Sequence, residues 1–147
     1  MSRIAYVKEL KTWESEFKFY STVTVRFSET DMFGHLNNTV PFTYFELARI
    51  DYFNALGFMN EWTNPKNETI PVVANLQCDF LKQVYYNQTL RIYVKAVNVG
   101  SSSVDLHYMG KTEEGDIAFT GQGTIVQISR YTGKSVPWNE ESKKLFI

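Results

Sequence analysis

Apolar and polar residues alternate along five stretches of the chain, and this period of two predicts five β-strands. The predicted strands cover residues 22–27, 74–80, 90–96, 103–108 and 117–128. The connections between the last four strands are short, so we expect each to pair with its chain neighbour as an antiparallel hairpin. The last four strands are therefore expected to form a β-meander. The first strand and a long segment with a different apolar period precede this meander in the chain.

The last of these stretches changes phase along its length. Its apolar side begins with Phe119 and continues with Val126, which is a shift of one residue in the alternation. Gly121 and Gly123 lie at the shift, so a β-bulge or a sharp coil of the strand is expected there. After this strand, Pro137 precedes a short predicted terminal helix.

Between residues 39 and 56 the apolar positions recur at spacings of three, four and seven, which is the period of a helix. Asn38 or Thr39 is the expected N-cap, Pro41 stands in the first turn, and Gly57 is a natural C-cap. Apolar residues cover most of the circumference, which predicts a buried helix. A single sheet has to curl around it, giving an α+β architecture, and we expect a second copy of the chain to close the open side as a homodimer.

The composition narrows the possible functions. The 147 residues fit one domain spanning 1–147, and 15 basic against 16 acidic side chains leave a formal charge of −1 with no basic stretch for nucleic acid. The one cysteine, Cys78, excludes an internal disulfide. With no signal peptide and no apolar run of membrane-spanning length, we expect a cytoplasmic protein without a membrane partner. Two histidines and one cysteine are a poor supply of zinc ligands, and we expect no metal or cofactor.

Several residues have ordinary structural interpretations. Cys78 lies on the apolar side of its strand, where a thiol is expected to pack in the core. His107 alternates toward the predicted solvent side without a carboxylate or histidine at ligand spacing, so an exposed side chain is expected. Residues 133–135 have the sequence Gly-Lys-Ser, but the glycine that a phosphate-binding loop requires five positions earlier is Ile128.

The loop before the helix gathers the residues with chemical potential. It places the carboxylate of Asp31 seven residues before Asn38, while Gly34 permits a tight turn and His35 and Asn37 add polar groups. Exposed N–H groups at a helix start stabilise negative charge, and together with a carboxylate they meet the requirements of acyl transfer. The same residues also fit a purely structural role, in which Asp31 and Gly34 form a turn and Asn37 or Asn38 caps the helix.

The sequence VRFSETDMFGHLNN over residues 25–38, followed by YFELAR over residues 44–49, resembles hotdog-fold acyl-CoA thioesterases of the 4-hydroxybenzoyl-CoA thioesterase type. Those enzymes typically show a TDxxGHVNN-like loop leading into a YFExAR helix. The likeness covers roughly residues 20–135, in the same order of strand, long helix and four strands. It implies a hotdog fold, in which a curved antiparallel sheet wraps around one long helix, and a dimer or dimer of dimers with active sites at the subunit interface.

The resemblance also implies roles for the loop residues. Asp31 matches the catalytic aspartate, which acts as nucleophile or general base. The backbone N–H of Asn38 matches the group that polarises the thioester carbonyl. Gly34, His35 and Asn37 match positions that shape the substrate pocket, so they are candidate substrate-binding residues.

Three charged side chains have weaker assignments. A helix carboxylate serves catalysis in another branch of hotdog thioesterases, but Glu46 belongs to the YFExAR pattern and can pair with Arg49 three residues on. Lys82 and Lys134 are candidates to contact the phosphates of coenzyme A, although isolated lysines are usually solvated. We retain Glu46 and Lys82 as candidate substrate-binding residues.

The leading hypothesis is an acyl-CoA thioesterase that hydrolyses its substrate to a free acid and coenzyme A. Two alternatives stay open: the same reaction on acyl carrier protein, and acyl-CoA or lipid binding without catalysis. The first alternative calls for a basic docking patch that the near-neutral chain does not clearly show. Retention of Asp31 argues against the second. A hotdog dehydratase is disfavoured because the surroundings of His35 differ from its usual histidine signature.

Overall fold

The computed structural model describes residues 4–146, in which five antiparallel strands form one sheet and a long helix packs on it. The strands are β1 (Phe19–Thr24), β2 (Thr69–Phe80), β3 (Thr89–Val99), β4 (Ser103–Thr112) and β5 (Ile117–Ser129), and the helices are α1 (Leu10–Ser15), α2 (Val40–Leu56), α3 (Met59–Trp62) and α4 (Glu140–Leu145). The predicted α+β architecture is confirmed, and α4 is the terminal helix expected after Pro137.

The first strand lies earlier in the chain than the alternation predicts. The alternation places it at residues 22–27, whereas β1 ends at Thr24 and a 3-10 turn covers Phe27–Glu29. The reason is a local cap, because the Glu29 side chain accepts a hydrogen bond from the Arg26 backbone N–H at 2.9 Å. This turn leads directly into the loop that carries Asp31.

The strand order in the sheet is β1-β3-β4-β5-β2, so the predicted hairpin between β2 and β3 is wrong. β2 pairs with β5 and forms one edge, while β3 pairs with β1 near the other edge. A connection of eight residues, 81–88, bridges about three strand spacings, or ~14 Å, which lies well within its reach. The hairpins β3–β4 and β4–β5 form as predicted.

Helix α2 buries the side of its surface that faces the sheet. Its buried apolar residues are Pro41, Tyr44, Phe45, Ala48, Tyr52 and Phe53. Leu47 and Ile50 on the other side are exposed. The described chain therefore buries the helix on one side only, whereas its composition predicts burial all round. The predicted ends hold, since Thr39 is the N-cap and Gly57 closes the helix in the left-handed conformation at φ 95°.

Gly121 of β5 makes room for the helix instead of marking a bulge. The ladders that β5 makes with β4 and β2 run past Gly121 and Gly123 without a shift. A Cβ atom at Gly121 would come within 2.4 Å of the Phe45 ring. The predicted bulge is therefore wrong, because the alternation keeps its phase and glycine supplies the space that an aromatic ring of α2 fills.

The other face of the sheet is covered by the N-terminal segment. A small second core there contains Ile4, Val7, Trp13, Phe17 and Met109. His107 is buried beneath this segment, and its Nδ1 accepts a hydrogen bond from the Trp13 indole N–H at 2.8 Å. The prediction of an exposed His107 is wrong because residues far away in the chain cover that face.

Candidate active site

The loop before α2 forms a compact turn around Asp31. The Asp31 N–H donates to the His35 carbonyl at 2.8 Å, and the Gly34 N–H donates to the Asp31 carbonyl at 3.1 Å. Gly34 has φ +82°, a conformation that side chains rarely adopt. The Leu36 N–H also donates to the Val84 carbonyl, which ties the turn to the β2–β3 connection. Gly34 thus acts through backbone geometry.

The two carboxylate oxygens of Asp31 have different surroundings. Oδ1 accepts hydrogen bonds from the N–H groups of Phe33 at 2.8 Å and His35 at 3.2 Å. Oδ2 has no hydrogen bond or ion pair with any residue from 4 to 146. The structural role in the turn therefore accounts for Oδ1 only. Oδ2 is available to a substrate or a water molecule.

The start of α2 leaves the backbone N–H of Asn38 unused. Asn37 takes the next two, because its side-chain oxygen accepts from the Thr39 N–H and its carbonyl accepts from the Val40 N–H, each at 3.0 Å. Pro41 has no N–H. Across the described chain, the Asn38 N–H donates to no protein group. It lies at the positive end of the helix dipole, where a donor favours a developing negative charge.

One cavity brings four of the predicted site residues together. Asp31, His35, Asn38 and Lys82 line a space of about 350 Å³. The other lining residues are Leu36, Phe80, Leu81, Gln83, Val84 and Phe119. A carboxylate oxygen and an unused N–H beside mostly apolar walls suit a thioester whose acyl part is apolar.

Lys82 lines this cavity, and its side chain is half-exposed. Its Nζ donates to the Asp116 carboxylate at 2.5 Å, and that hydrogen bond raises the pKa of Lys82. Lys134 lies in the turn after β5, where its backbone N–H donates to Thr132 Oγ1, and it is not among the residues around the cavity. Of the two lysines proposed for phosphate contacts, the structure thus brings only Lys82 to Asp31.

Glu46 lies away from the Asp31 cavity. Its carboxylate is 3.9 Å from the Arg49 guanidinium, which is the contact predicted from their spacing. It lines two other grooves, one on the β1 side of α2 and one beside β2. Within one chain, Glu46 therefore does not lie next to Asp31.

The sequence patterns miss a pair of residues close to the site. The Tyr44 hydroxyl donates to Glu29 Oε1 at 2.8 Å, which links α2 to the chain two residues before Asp31. In the sequence, Tyr44 stands out only as the first residue of the YFELAR stretch. The available signal is that a buried tyrosine hydroxyl usually has a hydrogen-bond partner, and Glu29 is the charged residue that precedes the Thr-Asp of the motif.

Cys78 is not a second nucleophile in this region. It is half-buried against the main core, as its position in the strand predicts. Burial and the neighbouring Asp79 raise the pKa of its thiol to about 12, so the reactive thiolate is scarce near neutral pH.

Within residues 4–146, no group of three or more acidic, histidine or cysteine side chains is arranged to hold a metal. The helices of that same region include none with the length and apolar character to cross a bilayer.

Comparison with known proteins identifies the family. The family model of the thioesterase-like superfamily matches residues 25–146. The chain belongs to this superfamily. A curated relative, the uncharacterized protein YsmA of Bacillus subtilis (strain 168), is 50% identical over 135 residues, which are 92% of this chain and 89% of the relative.

Solved thioesterase structures share the fold of this superfamily member. A thioesterase from Thermus thermophilus, in complex with coenzyme A and Zn, is 29% identical with a TM-score of 0.75, over 88% of this chain and 92% of that one. The DHNA-CoA thioesterase from Staphylococcus aureus is 23% identical with a TM-score of 0.78, over 87% of each chain. The predicted hotdog fold and the predicted family are therefore confirmed.

Proposed function

We propose that this protein hydrolyses acyl-CoA thioesters to a free acid and coenzyme A. The observation that carries the proposal is that Asp31, which has an unpaired carboxylate oxygen, and Asn38, which has an unused N–H, line one cavity. Membership of the thioesterase-like superfamily supports thioester hydrolysis. The similar thioesterase from Thermus thermophilus was solved with coenzyme A, which supports a coenzyme A thioester as the substrate here.

The Asn38 N–H is the proposed donor to the thioester carbonyl oxygen. As the reaction proceeds, negative charge grows on this oxygen, so a fixed donor at the positive end of α2 binds the transition state more strongly than the substrate. Removing one donor of this kind from other enzymes lowers kcat by about 10²–10³-fold. His35 and Asn37 hold the backbone of the turn and the helix start in the geometry that this donor requires.

Asp31 Oδ2 is the proposed reactive oxygen, and two routes lead to the same products. In one, Oδ2 attacks the carbonyl carbon, the C–S bond breaks and the thiolate leaves; a water then hydrolyses the resulting anhydride, and one of the protons that this step releases goes to the thiolate. In the other, Oδ2 takes a proton from water, the water oxygen attacks, and the departing thiolate receives a proton. Each route consumes one water for every thioester cleaved.

Thiol release over a panel of acyl-CoA chain lengths tests the proposal. Turnover with at least one acyl-CoA, and its absence with the Asp31→Asn variant, is the expected result. Binding of every acyl-CoA without release would favour the non-catalytic alternative, and turnover limited to acyl carrier protein would favour that carrier. Label in the Asp31 carboxylate after a single turnover in ¹⁸O-labelled water would reject direct attack by water on the thioester.

We also propose that the protein acts in the cytoplasm as a homodimer. Leu47 and Ile50 on the outer side of α2 are exposed, and so is Val73 on the edge strand β2. A second copy of the chain would cover this apolar surface, which a monomer leaves in water. Light scattering coupled to gel filtration tests the assembly: a mass of one chain across the micromolar range would contradict it, and a mass of four chains would indicate a dimer of dimers.

A further inference from the structure

A hydrogen-bonded pair joins the Asp31 loop to the body of α2. Tyr44 lies in the second turn of the helix with 4% of its surface exposed, and its hydroxyl donates to Glu29 Oε1 at 2.8 Å. The same oxygen accepts the Arg26 backbone N–H at 2.9 Å. The Arg26 guanidinium lies 3.6 Å from the other oxygen of this carboxylate. Glu29 is therefore fixed from two directions.

The backbone of Glu29 is fixed to the helix start as well. Its carbonyl accepts the Asn37 N–H at 2.8 Å, and Asn37 in turn holds the N–H groups of Thr39 and Val40. Glu29 precedes Asp31 by two residues, and Asn37 precedes Asn38 by one. One acidic residue thus connects the segment that carries the carboxylate with the segment that carries the unused N–H.

The protonation states make this contact a charge-assisted hydrogen bond. Partial burial of Glu29 opposes its ionisation, but the hydrogen bonds from Arg26 and Tyr44 hold the pKa of its carboxyl below the ordinary value. Burial and the adjacent carboxylate raise the pKa of Tyr44. Near neutral pH a neutral phenol therefore donates to a carboxylate, an interaction roughly twice as strong as one between neutral groups.

We propose that Tyr44 and Glu29 are positioning residues that fix Asp31 relative to the Asn38 N–H. This inference rests on the proposed thioester hydrolysis, in which both groups act on one carbonyl. Neither residue lines the Asp31 cavity, and both instead line the groove on the β1 side of α2. Their effect on the reaction is therefore indirect. A displacement of about 1 Å at a reacting group can cost ~10²-fold in rate, so a loosened loop should lower kcat.

Tyr52 provides a matched control on the same helix. It lies two turns further on, has 9% of its surface exposed, and its hydroxyl interacts with the backbone of Ala96. Tyr52→Phe and Tyr44→Phe each remove one hydroxyl oxygen from a buried ring of α2. Only the second change removes a contact with the Asp31 loop.

Steady-state kinetics of these variants test the pair. We expect Tyr44→Phe to lower kcat for acyl-CoA about 10-fold or more with KM within about 2-fold, and Tyr52→Phe to keep the kcat of the wild type. Glu29→Gln retains an oxygen that accepts from Tyr44 and should keep more activity than Glu29→Ala. Combining Glu29→Ala with Tyr44→Phe should cost no more than the larger single loss, because both changes break one contact.

Two further results distinguish a failure of the positioning role from a failure of the proposed hydrolysis. If the wild type hydrolyses acyl-CoA and Tyr44→Phe keeps full kcat, or if the two Tyr→Phe variants lose activity equally, the positioning role is overturned while the hydrolysis stands. If the wild type releases no thiol, hydrogen exchange still tests the pair. The Gly34 and Leu36 N–H groups should exchange at least several-fold faster in Tyr44→Phe than in Tyr52→Phe, and equal exchange would overturn it.

Discussion

Asp31 and His35 are joined by a reciprocal pair of hydrogen bonds. The Asp31 N–H donates to the His35 carbonyl at 2.8 Å, and the His35 N–H donates to Asp31 Oδ1 at 3.2 Å. The turn therefore needs an acceptor oxygen at position 31, but it does not need a charge. This separates the structural and chemical roles of the aspartate, since an asparagine keeps the acceptor and loses the base.

Asp31→Asn should therefore remove hydrolysis and leave the fold intact. The amide oxygen can still accept the Phe33 and His35 N–H groups, whereas an amide is neither a base nor a nucleophile at neutral pH. We expect a loss of about 10²–10⁴-fold in kcat, measured by thiol release, with a thermal midpoint close to that of the wild type. Asp51→Asn, at an exposed carboxylate of α2 that accepts from Ser21, serves as the control. Unchanged turnover in Asp31→Asn would show that another residue performs the reaction.

The role of the Asn38 N–H can be separated from that of the Asn38 side chain. Asn38→Ala keeps the backbone donor, and its kcat should stay close to that of the wild type. Asn38→Pro removes the donor, and its kcat should fall by about 10²–10³-fold. Circular dichroism and the thermal midpoint show whether the proline variant keeps helix α2. Equal kcat values for two folded variants would contradict the proposed polarisation of the carbonyl.

Gly121→Ala tests the close approach of α2 to the sheet. The added Cβ would lie 2.4 Å from the Phe45 ring, so the ring or the strand must move. Overpacking of this kind costs about 1–3 kcal/mol of unfolding free energy, which urea denaturation measures. In the double variant with Phe45→Leu the two losses should be less than additive, since the smaller side chain makes room. A Gly121→Ala protein as stable as the wild type would mean that the ring has space to move.

His107 should make stability depend on pH in a defined window. Burial and the nearby Lys95 lower the pKa of His107 from the ordinary 6.5 to about 4. Protonation of Nδ1 would also remove the acceptor to which the Trp13 N–H donates. Between these two values the unfolded chain binds more protons than the folded one, so stability is complete above pH 6.5 and falls as the pH drops toward 4. The slope in this window is on the order of 1 kcal/mol per pH unit.

Urea denaturation at several pH values between 7 and 4 measures this effect. His107→Gln keeps a side-chain oxygen that can accept from Trp13 and does not titrate, so its stability should decline less steeply over the same range. The difference between the two slopes isolates the histidine from the carboxylates, which titrate in both proteins. Parallel curves would show that His107 is protonated in the folded state without cost.

Signals that are local in the chain predict helix α2 and the chemistry of its preceding loop. The period of residues 39–56, Pro41 and Gly57 act within a few residues of one another, and so do the turn formers around Asp31. The pairing of β2 with β5 and the burial of His107 depend on contacts between distant parts of the chain. A hydrophobic period cannot report them, because it marks which face of a strand is buried and not which segment covers it.

The Tyr44–Glu29 contact falls between these two cases. Its residues are 15 apart and flank the recognisable loop, but nothing in their spacing shows that they meet, since the path of the loop decides it. Gly121 gives a similar lesson, because glycine in a strand can mark either a bulge or a close neighbour. The position of the Phe45 ring, which occupies the space above Gly121, decides between the two.

Lys82 offers the last test, which concerns how the nucleotide part of the substrate binds. If Lys82 meets a phosphate of coenzyme A, Lys82→Met should raise KM for acyl-CoA several-fold and leave kcat almost unchanged. An acyl-pantetheine thioester, which lacks the nucleotide phosphates, should show the same KM with both proteins. Added salt should weaken acyl-CoA binding more in the wild type than in the variant, because exposed charges are screened over about 10 Å at 0.1 M ionic strength.

Lys134→Met is the matched control, because Lys134 lies outside the Asp31 cavity. Removing its charge changes the net charge of the protein by the same amount, so any general electrostatic effect should be equal in the two variants. A rise in KM for Lys82→Met alone would support a local phosphate contact. An equal rise in both would mean that the overall charge, and not the cavity, governs binding of the nucleotide. If KM rises in neither variant, Lys82 does not contact the substrate phosphates, and its role is the ion pair with Asp116.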